Sequence, residues 1–211
     1  MSLYITLGRV RISVFFLAAF FILYILNPGV YILIMLASAA AHEAGHFVAA
    51  AFAGRRISAF EIKPFGAQIT LDGRLSGYNS DIWIAVSGSV ANIFAGATAY
   101  LFYKMHPSDD LFFLVLANAA LAFVNLLPVN GFDGGAALYA AIASKTDCFL
   151  AQKICDYVSV AFSGVILCAA VFACVRFGFN LSLVLIASAI VFEAAYGFKS
   201  RENRLFSKKP L

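Results

Sequence analysis

The sequence predicts an all-α polytopic membrane protein: six transmembrane helices, with a small membrane-surface β-hairpin between spans two and three. Composition is the first of three observations behind this. The 211 residues are 63% hydrophobic and only 12% charged, and mean hydropathy is +0.89. Soluble domains run near half apolar and a quarter charged. The second is a set of six apolar runs near the 17–25 residues a bilayer crossing needs. The third is where the basic side chains fall. The whole chain, 1–211, reads as one membrane-embedded domain ending in a basic cytoplasmic tail, 199–211. Its net charge of +4 sits at segment ends, as membrane topology dictates, so nucleic acid is not an expected partner.

Taken in order, the spans are Ile12–Leu26, Val30–Ala53, Asp81–Tyr103, Leu111–Pro128, Val158–Arg176 and Leu181–Phe198. The first is short, but no small-residue cleavage site follows it, so it reads as a retained span rather than a signal peptide. Asn27-Pro28-Gly29 supplies a tight turn into the second. Between spans two and three, Ile57, Phe60 and Ile62, then Ala67, Ile69 and Leu71, form two short extended runs around Pro64-Phe65-Gly66. They read as a hairpin at the cytoplasmic membrane surface. An irregular amphipathic loop is the alternative.

With the N-terminus in the cytoplasm, the inner segments hold Arg9, Arg11, Arg55, Arg56, Lys63, Arg74, Lys145, Lys153, Lys199, Arg201, Arg204, Lys208 and Lys209. The outer loops hold only Lys104 and Arg176. That asymmetry supports six spans with both termini cytoplasmic. The four cysteines, Cys148, Cys155, Cys168 and Cys174, show no metal-ligand doublet and read as small buried hydrophobes.

Span two carries the chemistry. It contains His42-Glu43-Ala44-Gly45-His46, with two of the three histidines in the chain; the third, His106, lies in an outer loop. Four residues on a helix are about 400° of rotation and about 6 Å of rise, so both imidazoles share a face. They suit one Zn²⁺. Glu43, one residue on, is placed to take a proton from a water polarised by that metal without ligating it. Ionisable groups at membrane depth are costly unless satisfied or used. Small Ala44 and Gly45 let a neighbouring helix or a substrate come close.

A catalytic zinc takes a third protein ligand. Asp133, beyond the helix break at Pro128 and followed by Gly134-Gly135, is the candidate. Glu193, near the cytoplasmic end of span six, reads as interfacial. Asn92 and Asn125 are amides at membrane depth. Each is either glue between helices or a donor to substrate backbone or a developing oxyanion.

These motifs resemble the site-2 protease family of intramembrane zinc metalloproteases: HEAGH on span two, SGSVAN in span three and NLLPVNGFDGG closing span four. The short first span and IKPFGAQITL look most like the stage IV sporulation protein FB branch. The resemblance covers nearly the whole chain. It implies zinc ligands at His42, His46 and Asp133, one Zn²⁺ per chain, a catalytic Glu43 and a motif asparagine at Asn125. Serine stands at 89 where the family's GPxxN has proline, and Gly131-Phe132 replace the branch's Pro-Leu before Asp133-Gly134. The regulatory CBS domain often carried by that branch has no counterpart after the last span, and no inserted PDZ domain is seen.

The resemblance implies hydrolysis of a peptide bond in membrane-associated protein substrates near the cytoplasmic face of a bacterial cell membrane. Processing of a sporulation or signalling transcription-factor precursor is one such role, and a membrane-protein inhibitor or regulator is an expected partner. His46 lies nine residues before Arg55, or about 13 Å of helix, nearer the inner face. The rival readings are a metal-ion transporter, a catalytically inactive scaffold, and a hydrolase of lipids or small molecules.

Overall fold

The computed structural model describes residues 4–7, 10–26, 29–55, 57–63, 66–71, 77–178, 180, 183–184, 187–188, 190–191 and 194. Asn27-Pro28, Pro64-Phe65, Arg74, Glu193, most of the predicted sixth span and the basic tail lie outside the described residues.

Strands β1 (Tyr4–Leu7) and β2 (Val10–Ser13) lead into helix α1 (Val14–Leu26) and then α2 (Val30–Phe52). Strands β3 (Ile57–Lys63) and β4 (Gly66–Leu71) follow. The remaining elements are helical: α3 (Tyr78–Met105), α4 (Asp109–Asn125), α5 (Asp133–Ala143) and α6 (Cys148–Phe177). The chain divides into two compact units. One comprises Met1–Ser80 and Ser87–Phe123, the other Asp81–Val86 and Val124–Leu211.

In the first unit the strands form one sheet in the order β1-β2-β3-β4. The hairpin β3–β4 is antiparallel, with Phe60 opposite Ile69 and Glu61 opposite Gln68. The pairing of β2 with β3 is parallel and was not anticipated; it sets Arg11 beside Glu61, with an ion pair of 3.1 Å between them. The chain is mostly helical, with a four-stranded sheet where a single hairpin was expected. The segment from Ile12, read as the start of a span, opens in a strand, because its β-branched run serves either structure.

Helix α1 has 13 residues, about 20 Å of rise, short of the hydrocarbon core of about 30 Å. Helix α4 has 17 residues and opens on Asp109 and Asp110. Among the described residues, three helices are long and apolar enough to cross a membrane: α2, α3 and Cys148–Arg176 of α6. The six-span count is not reached among them.

Helix α2 stops for a local reason. Gly54 takes φ +66, its N–H reaches the Ala51 carbonyl at 3.0 Å, and the Arg55 N–H reaches the Ala50 carbonyl at 2.9 Å. This is a Schellman closure, which needs a residue comfortable in the left-handed region.

In the second unit α4 ends at Asn125, three residues before the predicted end, and α5 was not foreseen. Helix α6 starts ten residues before the predicted fifth span, capped by Asp147, whose carboxylate accepts from the Leu150 N–H at 2.8 Å. Val129, Ile190 and Ala194 form a buried cluster against Leu127, Phe132 and Ile166. All four cysteines are free thiols, and only Cys155 is fully buried; Cys148 and Cys168 are exposed on α6, against the expectation of burial.

Candidate metal centre

One turn of α2 brings His42 and His46 to the same face. Their Nε2 atoms stand 3.2 Å apart, and both rings are buried, 5% and 7% exposed. Two nitrogens on one tetrahedral Zn²⁺ at about 2.0–2.1 Å are themselves about 3.3 Å apart. The spacing is that of two ligands converging on a single ion.

The far nitrogens are held by α3. His42 Nδ1 lies 2.6 Å from Asn92 Oδ1, and His46 Nδ1 lies 3.4 Å from Ser87 Oγ. The Asn92 amide is oriented without ambiguity, because its Nδ2 faces two acceptors: the Ser38 carbonyl at 2.9 Å and Asn118 Oδ1 at 2.8 Å. An amide oxygen only accepts, so the His42 proton sits on Nδ1, and Nε2 is the nitrogen that presents a lone pair toward His46. Asn118 in turn donates to Ser38 Oγ at 3.0 Å and to the Leu114 carbonyl at 2.9 Å. Asn92, Asn118 and Ser38 are essentially inaccessible to solvent. In a membrane such bonds contribute about 0.6 kcal/mol each, but together they fix one tautomer and one ring orientation.

Close helix packing makes this possible. A Cβ on Gly45 would come within 2.5 Å of the Ser87 carbonyl oxygen and 2.9 Å of the Ala91 Cβ. A Cβ on Gly88 would run into both imidazoles, including His42 Nε2 at 2.8 Å. The small residue at 45 thus admits the neighbouring helix, one of the two roles anticipated for it. Glu43 is half-buried between the two histidines in sequence.

Asp133 is placed by different means. It is the first residue of α5, half-buried, after an irregular segment from 126 to 132. Gly131 turns that segment with φ +97, which proline, locked near −65°, cannot adopt. Gly134 and Gly135 are helical rather than turn formers. A Cβ at Gly134 would strike the carbonyls of Leu126 and Leu127, and one at Gly135 the carbonyl of Val129.

His42, His46 and Asp133 each offer one ligand atom, and these atoms all lie within 4.8 Å of one another. Two imidazoles and one carboxylate are a donor set suited to a catalytic zinc, which keeps a fourth position for water or substrate.

Asn92 was expected either to join helices or to donate to substrate backbone or an oxyanion; its amide hydrogens face Ser38 and Asn118, and its oxygen faces His42 Nδ1. Asn125 is the half-buried last residue of α4. Sequence reasoning passed over Ser38 and Asn118, whose one signal was polarity within apolar runs, and gave Ser87 and Gly88 of the SGSVAN stretch no role of their own.

The Peptidase M50B-like family matches residues 14–181. No curated protein matches the chain. Among solved structures, the site-2 protease from Methanocaldococcus jannaschii is similar over 93% of this chain and 95% of its own, with TM-score 0.69 and 21% identity, a likeness of fold. Membership of this family implies metalloprotease activity, and with three apolar helices of crossing length it marks an integral membrane protein. A match spanning residues 14–181 of 211 places the chain in the Peptidase M50B-like family.

Proposed function

We propose that this protein is an intramembrane zinc metalloprotease that cuts membrane-associated protein substrates near the cytoplasmic face of a bacterial cell membrane. The observation carrying this reading is the convergence of one ligand atom each from His42, His46 and Asp133 within 4.8 Å of one another, with Glu43 one residue after His42 in the sequence. These three residues would hold one Zn²⁺. When bound, that ion supplies the Lewis acidity that peptide hydrolysis needs near neutral pH.

The chain's own residues do the rest. Glu43 accepts a proton from the attacking water and returns it to the departing amine nitrogen. Asn92 keeps His42 in the tautomer whose Nε2 lone pair can ligate. Asn125, the motif asparagine, is assigned to the substrate side. The hairpin β3–β4 lies at the cytoplasmic membrane surface in this reading, with both termini on the same side. Strand β4 is at one edge of its sheet and offers an extended substrate a strand to pair with. Proline substitutions across Gln68–Thr70 abolish cleavage if it does. A tethered transcription-factor precursor, in sporulation or in signalling, is the substrate class this reading favours.

The test is co-expression with a panel of membrane-tethered candidates, wild type against Glu43→Gln, reading the shorter product on a gel and the zinc content of both purified proteins. A product from wild type only, with zinc in both, is expected. Absence of zinc from both overturns the proposal.

A further inference from the structure

We propose that Asp156 and Ser159 on α6 are positioning residues for Asp133, acting by clamping the segment that delivers it. The inference rests on the reading of Asp133 as a metal ligand. The segment from 126 to 132 joins α4 to α5, and no regular structure holds it. Besides the apolar packing of Leu127, Val129 and Phe132 near Ile166, Asn130 ties it to α6 by hydrogen bonds. The Asn130 backbone N–H donates to Ser159 Oγ at 2.9 Å, and its side-chain Nδ2 donates to Asp156 Oδ1 at 2.8 Å. Gln152 Nε2 donates to that same oxygen at 3.0 Å.

Asn130, Asp156 and Ser159 are all more than nine-tenths buried. Asp156 and Ser159 stand three apart on α6 and so share a face. A carboxylate buried in a helix of the membrane class is costly, and here it is aimed at a loop amide. Sequence reasoning gave Asp156 no role.

The clamp lies three residues before Asp133. The turn at Gly131 and the close seats of Gly134 and Gly135 against the same segment leave little slack between them. Where Asn130 is held, Asp133 follows. Outer groups that orient a metal ligand typically change affinity by about 10–100-fold when removed.

The experiment measures zinc affinity of the full-length, detergent-solubilised protein by competition with a chelating dye, for wild type, Asp156→Ala, Asp133→Ala and the double variant. Asp156→Ala is expected to weaken zinc about 10–100-fold when Asp133 is present, and by less than about threefold when it is absent. Asp156→Asn keeps the acceptor oxygen and is expected to restore most of the affinity. Equal losses in both backgrounds indicate general loosening of the fold and overturn the inference, as does no loss in either. Should Asp156→Ala fail to fold, Asn130→Ala removes the same bond from the other side and is judged by the same outcomes. Wild type without measurable zinc brings down the metal-site reading itself. Wild type with zinc but without the coupling brings down this inference alone.

Discussion

The histidine pair and Asp133 reach their positions by opposite strategies. The imidazoles stand on a long, regular helix, and what holds them is a set of side chains on α3 and α4 reaching across to α2. Asp133 begins a short helix behind an irregular segment, where backbone packs closely on backbone and Asn130 is tied to α6. The glycines show the contrast most plainly. Gly88 clears the tips of two side chains, whereas Gly134 clears the carbonyls of Leu126 and Leu127. The orientation of the two imidazoles is therefore expected to be more separable from folding than the backbone packing at the start of α5.

Gly88→Ala tests the first half and carries the largest expected effect. The new methyl displaces both Nε2 atoms, which can swing away without moving a helix. Zinc affinity is expected to fall by more than about 100-fold, since both ligands are misplaced together. The thermal unfolding of the metal-free protein stays within about 1 kcal/mol of wild type. Metal titration and unfolding on the same sample check both statements. A variant that fails to fold breaks the contrast.

Gly134→Ala tests the second half. Carbonyls of the chain cannot step aside, so the start of α5 and the preceding segment must shift together. Overpacking of this kind costs about 1–3 kcal/mol. The expected result is a lowered unfolding midpoint even with no metal present, the reverse of Gly88→Ala. A variant with normal stability and lost zinc would show that the loop ligand is separable too.

The same contrast decides what was legible in the sequence. The i, i+4 spacing of His42 and His46 is local, so a helix period reveals it. Asp133 could be nominated from its place after a proline and before two glycines, yet not the reason for them, because their neighbours' carbonyls come from a non-helical segment that no periodicity describes. The hairpin β3–β4 was legible from two short apolar runs. Its partners β1 and β2 were not, since β2 runs straight into an apolar helix without a break. The parallel pairing of β2 with β3 joins positions separated by two helices. Polar residues cost most of the remainder. Gln152, Lys153 and Asp156 masked the first ten residues of α6, and Ser38 and Asn118 stand on different helices with no spacing to connect them.

Asn92→Ala probes how far the histidine side depends on its reach across helices. It removes the acceptor from His42 Nδ1 and lets the ring change tautomer or rotate. A loss of about 10–100-fold in zinc affinity is expected. His46, held separately by Ser87, keeps its orientation. Asn92→Asp, which retains an acceptor oxygen, is expected to recover part of the loss, and equal losses in both variants would mean the amide acts through packing alone.

Asn118→Ala gives the smallest effect and the finest test. Asn118 touches neither ligand; it accepts one hydrogen of Asn92 and is itself tied to Ser38 and to the Leu114 carbonyl. Its removal leaves Asn92 with the Ser38 carbonyl as a remaining partner, so the amide keeps its orientation for most of the time. A single hydrogen bond between membrane helices is worth about 0.6 kcal/mol, and each 1.4 kcal/mol is tenfold in affinity. Zinc affinity should therefore drop by only about threefold. In the Asn92→Ala background the same substitution should have no further effect on zinc, because its influence runs through that amide. An undiminished loss there would mean that the helix-borne ligands, like Asp133, depend on the packing of the whole unit, and the separation drawn between the two sides would fall.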